Sequence, residues 1–207
     1  MNKIKYIAFD LGGVIMTLNQ GQAIRHFESI GLKDAATYLN AYTQEGIFGD
    51  LELGKITAEE FRQGLSDIIG RNITHEQCMY GWLGYRGALP MRNLNLLLHL
   101  RNIGYHVLLL SNTNPFMMEW ARSDKFSPDH HPLDYYFSSL YLSYECKMMK
   151  PSAEFFKHVL EQEGITADRM LFVDDGQHNV EAAAALGIAT FCPMNGSDWT
   201  QKIYEYL

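Results

Sequence analysis

The sequence of 207 residues predicts an α/β fold. The expected architecture is a doubly wound parallel sheet covered by helices on both faces, with a small all-helical segment inserted after the first strand. Two observations predict it. Short apolar runs alternate with helical patterns over most of the chain. The stretch from about Thr17 to Tyr85 breaks that rhythm, carrying helical patterns and no strand-like run.

The first strand lies in "KYIAFDLGGVIMTLN", where an apolar run ends at Asp10 and meets Gly12 and Gly13. Four further runs follow: "YHVLLL" from Tyr105, "YFSSLYL" from Tyr136, "MLFV" from Met170 and "IATFC" from Ile188. Continuous apolar runs of this length suit strands buried on both faces. In "PSAEFFKHVLEQEG", Pro151 is expected at the first helical position, with a stripe of Phe155, Phe156, Val159 and Leu160 and a stop at Gly164. "NVEAAAALG" is rich in strong helix formers and ends at Gly187. Within the insert, "TAEEF" at Thr57 and "THEQ" at Thr74 match the capping box, a hydroxyl followed three residues later by Glu or Gln. The expected division is a core of residues 1–16 and 86–207, with the helical insert over 17–85.

Composition narrows the function. With 47% hydrophobic and 20% charged residues, the chain suits one globular domain with an insertion. The net charge of −7 and the absence of a basic stripe argue against nucleic acid as a partner. Three scattered cysteines, Cys78, Cys146 and Cys192, without CxxC spacing, read as reduced thiols. The first apolar run is too short for a signal peptide, and no run approaches the ~20 residues that span a bilayer. The expected location is the cytoplasm, as a monomer or homodimer.

The chemistry gathers at the strand ends. The first strand delivers Asp10, the second Ser111 and Asn112, the fourth Asp174 and Asp175, and Lys150 precedes the Pro151 helix. In an open parallel sheet, ligands bind beyond the carboxyl ends of the strands. Each residue alone has an ordinary explanation: a turn aspartate, a helix N-cap within Ser111–Pro115, a solvated lysine. The adjacent acids Asp174 and Asp175 are harder to dismiss, because they repel one another and need a cation or donors nearby. Asp10 and Asp175 offer hard oxygen ligands to Mg²⁺, and Asp174 is placed to hold a water of that ion. Ser111, the backbone N–H of Asn112, and Lys150 can grip a phosphate. A carboxylate attacking a phosphate dianion meets repulsion of roughly 4 kcal/mol per charge pair at 4 Å. Mg²⁺ and Lys150 would offset it, leaving Asp10 free to act as the nucleophile.

The stretches "DLGGV", "LLLSNTN", "KMMKP" and "FVDDGQHNVEAA" resemble, in order, the four motifs of the haloacid-dehalogenase superfamily. The resemblance implies a Rossmann-like core with a helical cap between the first two motifs. It implies that Asp10 forms an aspartyl-phosphate, that Ser111 and Lys150 bind phosphate, and that Asp175, beside Asp174, ligates Mg²⁺. The backbone carbonyl of Gly12 is implied as a further ligand. The nearest resemblance is to the bacterial alpha-D-glucose-1-phosphate phosphatase branch, which shares "FDLGGVI", "LSNTN" and "VDDGQHN" and the cap stretch "ELGKITAEEF" from Glu52.

Gly12 is the departure. Most phosphatases of the superfamily carry a second Asp there, which protonates the leaving group and later activates water. Losing such a group removes about 10²–10⁴ in rate. Dehalogenases and phosphonatases also lack it, but dehalogenases lack the tandem acids and phosphonatases use a cap lysine. The expectation is a Mg²⁺-dependent phosphatase for a small phosphorylated metabolite, such as a sugar phosphate, with a steep dependence on leaving-group pKa. Asp174, Glu52 and His26 are candidate substitutes for the missing acid. The rivals are a Mg²⁺-independent 2-haloacid dehalogenase and a catalytically weak descendant that binds a phosphorylated ligand or a protein.

Three other features have plain readings. His130 and His131, between two prolines, are expected in solvent; Met117, Met118 and Trp120 on a packed helix face; Cys146 as structural.

Overall fold

The computed structural model describes residues 3–40 and 44–207. Five parallel strands form one sheet: β1 (Tyr6–Phe9), β2 (His106–Ser111), β3 (Ser139–Leu142), β4 (Met170–Val173) and β5 (Ala189–Phe191), in the order β3-β2-β1-β4-β5. The chain winds one way from β1 through β2 to β3, then crosses to add β4 on the other side of β1. The switch point of this doubly wound sheet therefore lies between β1 and β4, where the ends of neighbouring strands leave a crevice.

Strand residues alternate between two apolar layers, as the period of two requires. Ile7, Phe9, Val107, Leu109, Leu171 and Val173 face one layer. Ala8, Leu108, Leu110 and Phe172 face the other, closed by Phe155, Phe156 and Val159 of one helix and Val180 and Ala183 of another.

Between β1 and β2 the chain forms α1 (Gln20–Ser29), α2 (Ile47–Glu52), α3 (Ala58–Ile69), α4 (His75–Leu83) and α5 (Met91–Asn102). Both expected capping boxes form: Thr57 with Glu60 at the head of α3, and Thr74 with Gln77 at the head of α4. Phe48 stands edge-on to Phe27 and Phe61, at 5.1 and 5.0 Å. The apolar layer runs without a break from the sheet into these helices, with Phe61 5.7 Å from Phe116 of α6 (Pro115–Ala121). Asn114 caps α6, its side chain accepting from Met117 N, with Pro115 at the first helical position.

After β3 come the single turn α7 (Ser143–Cys146), then α8 (Ala153–Glu163) and α9 (Gln177–Ala184). Two expectations change. β3 covers only the last part of "YFSSLYL", because Leu133–Tyr136 winds into a 3-10 turn whose Tyr136 is buried; the apolar character there serves turn packing. Pro151 lies outside α8, which starts two residues later than expected, at Ala153, because Ser152 supplies the cap, accepting from Glu154 N. Gly164 ends α8 at φ 64°. Among the described residues no helix is long and apolar enough to cross a membrane.

Candidate active site

β1 ends at Phe9 and β4 at Val173, so Asp10, Asp174 and Asp175 leave adjacent strands on either side of the switch point. One oxygen of each carboxylate lies within 4.8 Å of the others. Into this cluster runs Lys150, an ammonium only 1% exposed, 3.1 Å from Asp10 Oδ1 and 2.6 Å from Asp174 Oδ2. Taken in isolation, a lysine before a proline reads as a solvated side chain. The fold buries it, and so deep a cation requires such partners.

The two tandem acids do different work. Asp174 is fully buried, and both its oxygens are engaged: Oδ1 accepts from Gly176 N (2.7 Å) and Asn179 Nδ2 (3.1 Å), Oδ2 from Lys150 and Asn179. It holds Lys150 and the head of α9 in place. Asp175 lines a cavity with Asp10, Gly12, Ser111, Asn112 and Lys150. Burial, with Asp10 and Asp174 adding to it, pushes Asp175 up to about 7. Asp10 stands at about 6: burial and Asp174 raise it, Lys150 and the Ser111 hydroxyl lower it.

Three carboxylates around one ammonium leave an excess of negative charge in a buried place, the environment that a divalent cation neutralises. The donor set is oxygen only, which fits a hard ion such as Mg²⁺.

Gly13 is required twice over. Its φ is +79°, and a Cβ there would land on the Asp175 carboxylate. Gly12 lines the cavity, and a Cβ on it would come within 2.7 Å of Leu18 Cδ2. Where most phosphatases of the resembled family carry an acid, this chain packs a leucine.

Ser111 is 2% exposed. The Asn112 side chain is committed to Lys150 through a pair of hydrogen bonds, donating from Nδ2 to Lys150 O and accepting at Oδ1 from Lys150 N. Only its backbone N–H remains for a phosphate.

Of the candidate acids, His26 stacks on Tyr80 at 4.0 Å, bonds its backbone carbonyl and does not line the cavity. Glu52, the last residue of α2, does line it and is 6% exposed. Burial raises its carboxyl to about 8, against the lowering effects of Asn114 and Lys150.

Sequence reasoning missed Asn179 and Asn114. Asn179 had a readable signal, an amide in the first turn of the helix that follows the tandem acids. Trp82 and Tyr85, on the cavity wall, had none, because the helical segment carries no strand register from which to place them. Of the three features read plainly, His131 stacks on Tyr135 at 3.9 Å and Met118 and Trp120 are buried, while Met117 also reaches the cavity.

The model of the haloacid dehalogenase-like hydrolase family matches residues 4–187. The chain is 45% identical over 200 residues to a D-ribitol-5-phosphate phosphatase of Bacteroides thetaiotaomicron, covering 97% of both chains. Among solved structures, a predicted HAD-like family hydrolase from Porphyromonas gingivalis superimposes with a TM-score of 0.93 at 37% identity, over 98% of this chain and 97% of that one. A HAD family enzyme from Bacteroides thetaiotaomicron, in complex with magnesium and inorganic phosphate, does so with a TM-score of 0.88 at 37% identity, over 96% of this chain and 98% of that one. With strand order, site acids and these likenesses in agreement, the chain belongs to the haloacid dehalogenase-like hydrolase family.

Proposed function

We propose that this protein is a Mg²⁺-dependent phosphatase that hydrolyses the monoester of a small polyol or sugar through an aspartyl-phosphate on Asp10. The observation that carries the reading is Lys150, sealed between Asp10 and Asp174 beside the open carboxylate of Asp175. A buried ammonium at that point neutralises phosphate oxygens and keeps Asp10 ionised, two things a carboxylate nucleophile needs.

Asp10, Asp175 and the Gly12 backbone carbonyl would hold the metal ion, which when bound supplies charge neutralisation for the phosphoryl group. Lys150, Ser111 and the Asn112 N–H grip the phosphate, and a carboxylate oxygen of Asp10 attacks phosphorus from the strand end. Asp174 keeps Lys150 in register. The helical segment between β1 and β2 acts as the cap and closes the cavity from the side of Trp82 and Tyr85.

The finer substrate reading follows from the cavity and from the relative's activity. Asn114, Gln44 and Glu52 offer polar contacts to hydroxyls, while Trp82, Leu18 and Met117 offer apolar surface to C–H faces. A hydroxylated carbon chain bearing one terminal phosphate fits that mixture. D-ribitol 5-phosphate is the first substrate to test and glucose 1-phosphate the second.

Phosphate release from both esters and from p-nitrophenyl phosphate, measured with Mg²⁺ and with a chelator, tests the reading. Turnover that needs Mg²⁺ and favours the polyol or sugar ester is the expected result. Halide release from a 2-haloacid in the presence of chelator, without phosphate release, would overturn it.

A further inference from the structure

Position 12 is a glycine and supplies no acid, and Leu18 packs against the space a side chain there would enter. The nearest neighbours of a Cβ there are Leu18 Cδ2 at 2.7 Å, and Cδ1 and Cγ at 3.0 Å. A proton for the leaving oxygen therefore has to come from another wall of the cavity. His26 is turned onto Tyr80, and Asp174 is clamped by Lys150, Gly176 and Asn179. That leaves Glu52, which lines the cavity with Asp10 and Ser111 and has no ion-pair partner among the described residues.

We propose that Glu52 is the proton donor to the leaving oxygen, presented by the helical segment beside the Asn114 amide. The inference rests on the phosphatase reading above. Asn114 is 1% exposed, and its Oδ1 is spent on capping α6, accepting from Met117 N at 3.1 Å. Its Nδ2 is buried at the cavity wall without a well-formed hydrogen bond. It acts on the Glu52 carboxyl, favouring the ionised form. A buried amide donor left short of a partner costs stability, so its retention beside an acid in the cavity points to a substrate oxygen that completes it.

The charged and titratable groups facing Glu52 are Asp10, which disfavours its ionised form, Lys150, which favours it, and Tyr85. The Tyr85 phenol donates toward Asn40 O and Gln44 Oε1. Burial outweighs the rest and holds the carboxyl protonated at neutral pH, the state an acid catalyst needs.

The step balances. A carboxylate oxygen of Asp10 bonds to phosphorus as the bond from phosphorus to the ester oxygen breaks. The electron pair stays on that oxygen, which takes the Glu52 proton and departs as the alcohol. The Glu52 carboxylate then takes a proton from the water that attacks the aspartyl-phosphate. Inorganic phosphate leaves, and both Asp10 and the acid are restored.

The test compares kcat/KM, which reports the steps up to alcohol release, for D-ribitol 5-phosphate and p-nitrophenyl phosphate in Mg²⁺. Nitrophenolate leaves without a proton; an alkoxide does not. Glu52→Gln should lower kcat/KM for the ribitol ester about 10²–10³-fold and for the nitrophenyl ester less than about 3-fold. Glu52→Asp should recover part of the loss, and thermal melting of Glu52→Gln should show a folded protein. Equal losses on the two esters, or no loss on either, would overturn the inference while leaving the phosphatase reading intact. A wild type that hydrolyses neither ester removes both.

Discussion

Asn112 clasps the backbone of Lys150 on both sides of that residue: its Nδ2 donates to Lys150 O at 2.9 Å and its Oδ1 accepts from Lys150 N at 2.8 Å. The residue after β2 thus fixes where the chain before α8 enters the site, and Lys150 Nζ arrives between Asp10 and Asp174 as a result. Asn112→Ala removes both bonds and leaves two backbone groups short of partners, at a cost of about 2 kcal/mol. The mutant should melt lower and lose roughly 10–100-fold in kcat/KM, the range in which a misplaced catalytic group acts. Asn112→Asp, which keeps only the acceptor half of the clasp, should fall between.

Gly12→Asp puts the expected acid back by sequence and should fail by structure. The new side chain would press on the Leu18 side chain, which has to move aside to admit it. Activity on D-ribitol 5-phosphate should fall, and stability with it, by about 1–3 kcal/mol for an overpacked site. A gain in rate would mean that Leu18 yields and that position 12 is open to an acid after all.

Glu52 also predicts a stability cost that depends on pH. Its carboxyl ionises at its ordinary value near 4.5 in the unfolded chain and at about 8 in the folded protein. Between those values the unfolded chain binds fewer protons, so stability falls as pH rises through the window. Glu52→Gln carries no such proton. The difference in stability between mutant and wild type should therefore grow in favour of the mutant from pH 4.5 to 8, reaching on the order of a few kcal/mol. Denaturant unfolding across that range measures it, and a difference independent of pH would contradict a buried neutral carboxyl.

Metal binding should be visible in the melting temperature. Adding Mg²⁺ to chelated protein neutralises the buried carboxylates and stabilises by about 2.7 kcal/mol at a hundredfold excess over Kd. Asp175→Asn should abolish most of the shift, because Asp175 is the tandem acid that faces the cavity. Asp174→Asn should lower stability even without metal, since it leaves Lys150 with one fewer counter-charge.

What the sequence disclosed and what it hid follow from locality. Asp10, Ser111, Asp174 and Asp175 were legible because a strand buried on both faces is a continuous apolar run, and the residue that ends it has a known direction to face. Lys150 was legible only in company with the strand-end residues; taken alone it had the ordinary reading of a solvated side chain, and nothing local says that it will be 1% exposed. The side chain of Asn112 was missed because its partner lies 38 residues away. Glu52 could be nominated but not placed, since it reaches the cavity through the packing of Phe48 against Phe27 and Phe61, a tertiary event. The early start expected for β3 has the same origin: Tyr136 is apolar and buried, yet it serves a turn.

The proposed chemistry puts the phosphoryl group on Asp10. Turnover of D-ribitol 5-phosphate in Mg²⁺, stopped within milliseconds by borohydride and followed by peptide mass spectrometry, addresses it directly, because reduction of an acyl phosphate marks the residue that bore it. Reduced Asp10 should appear in the "YIAFDLGGV" peptide, with no such product from Asp10→Asn, which should also release no phosphate. Phosphate release at the normal rate with Asp10 unmodified, or from the Asn variant, would contradict it.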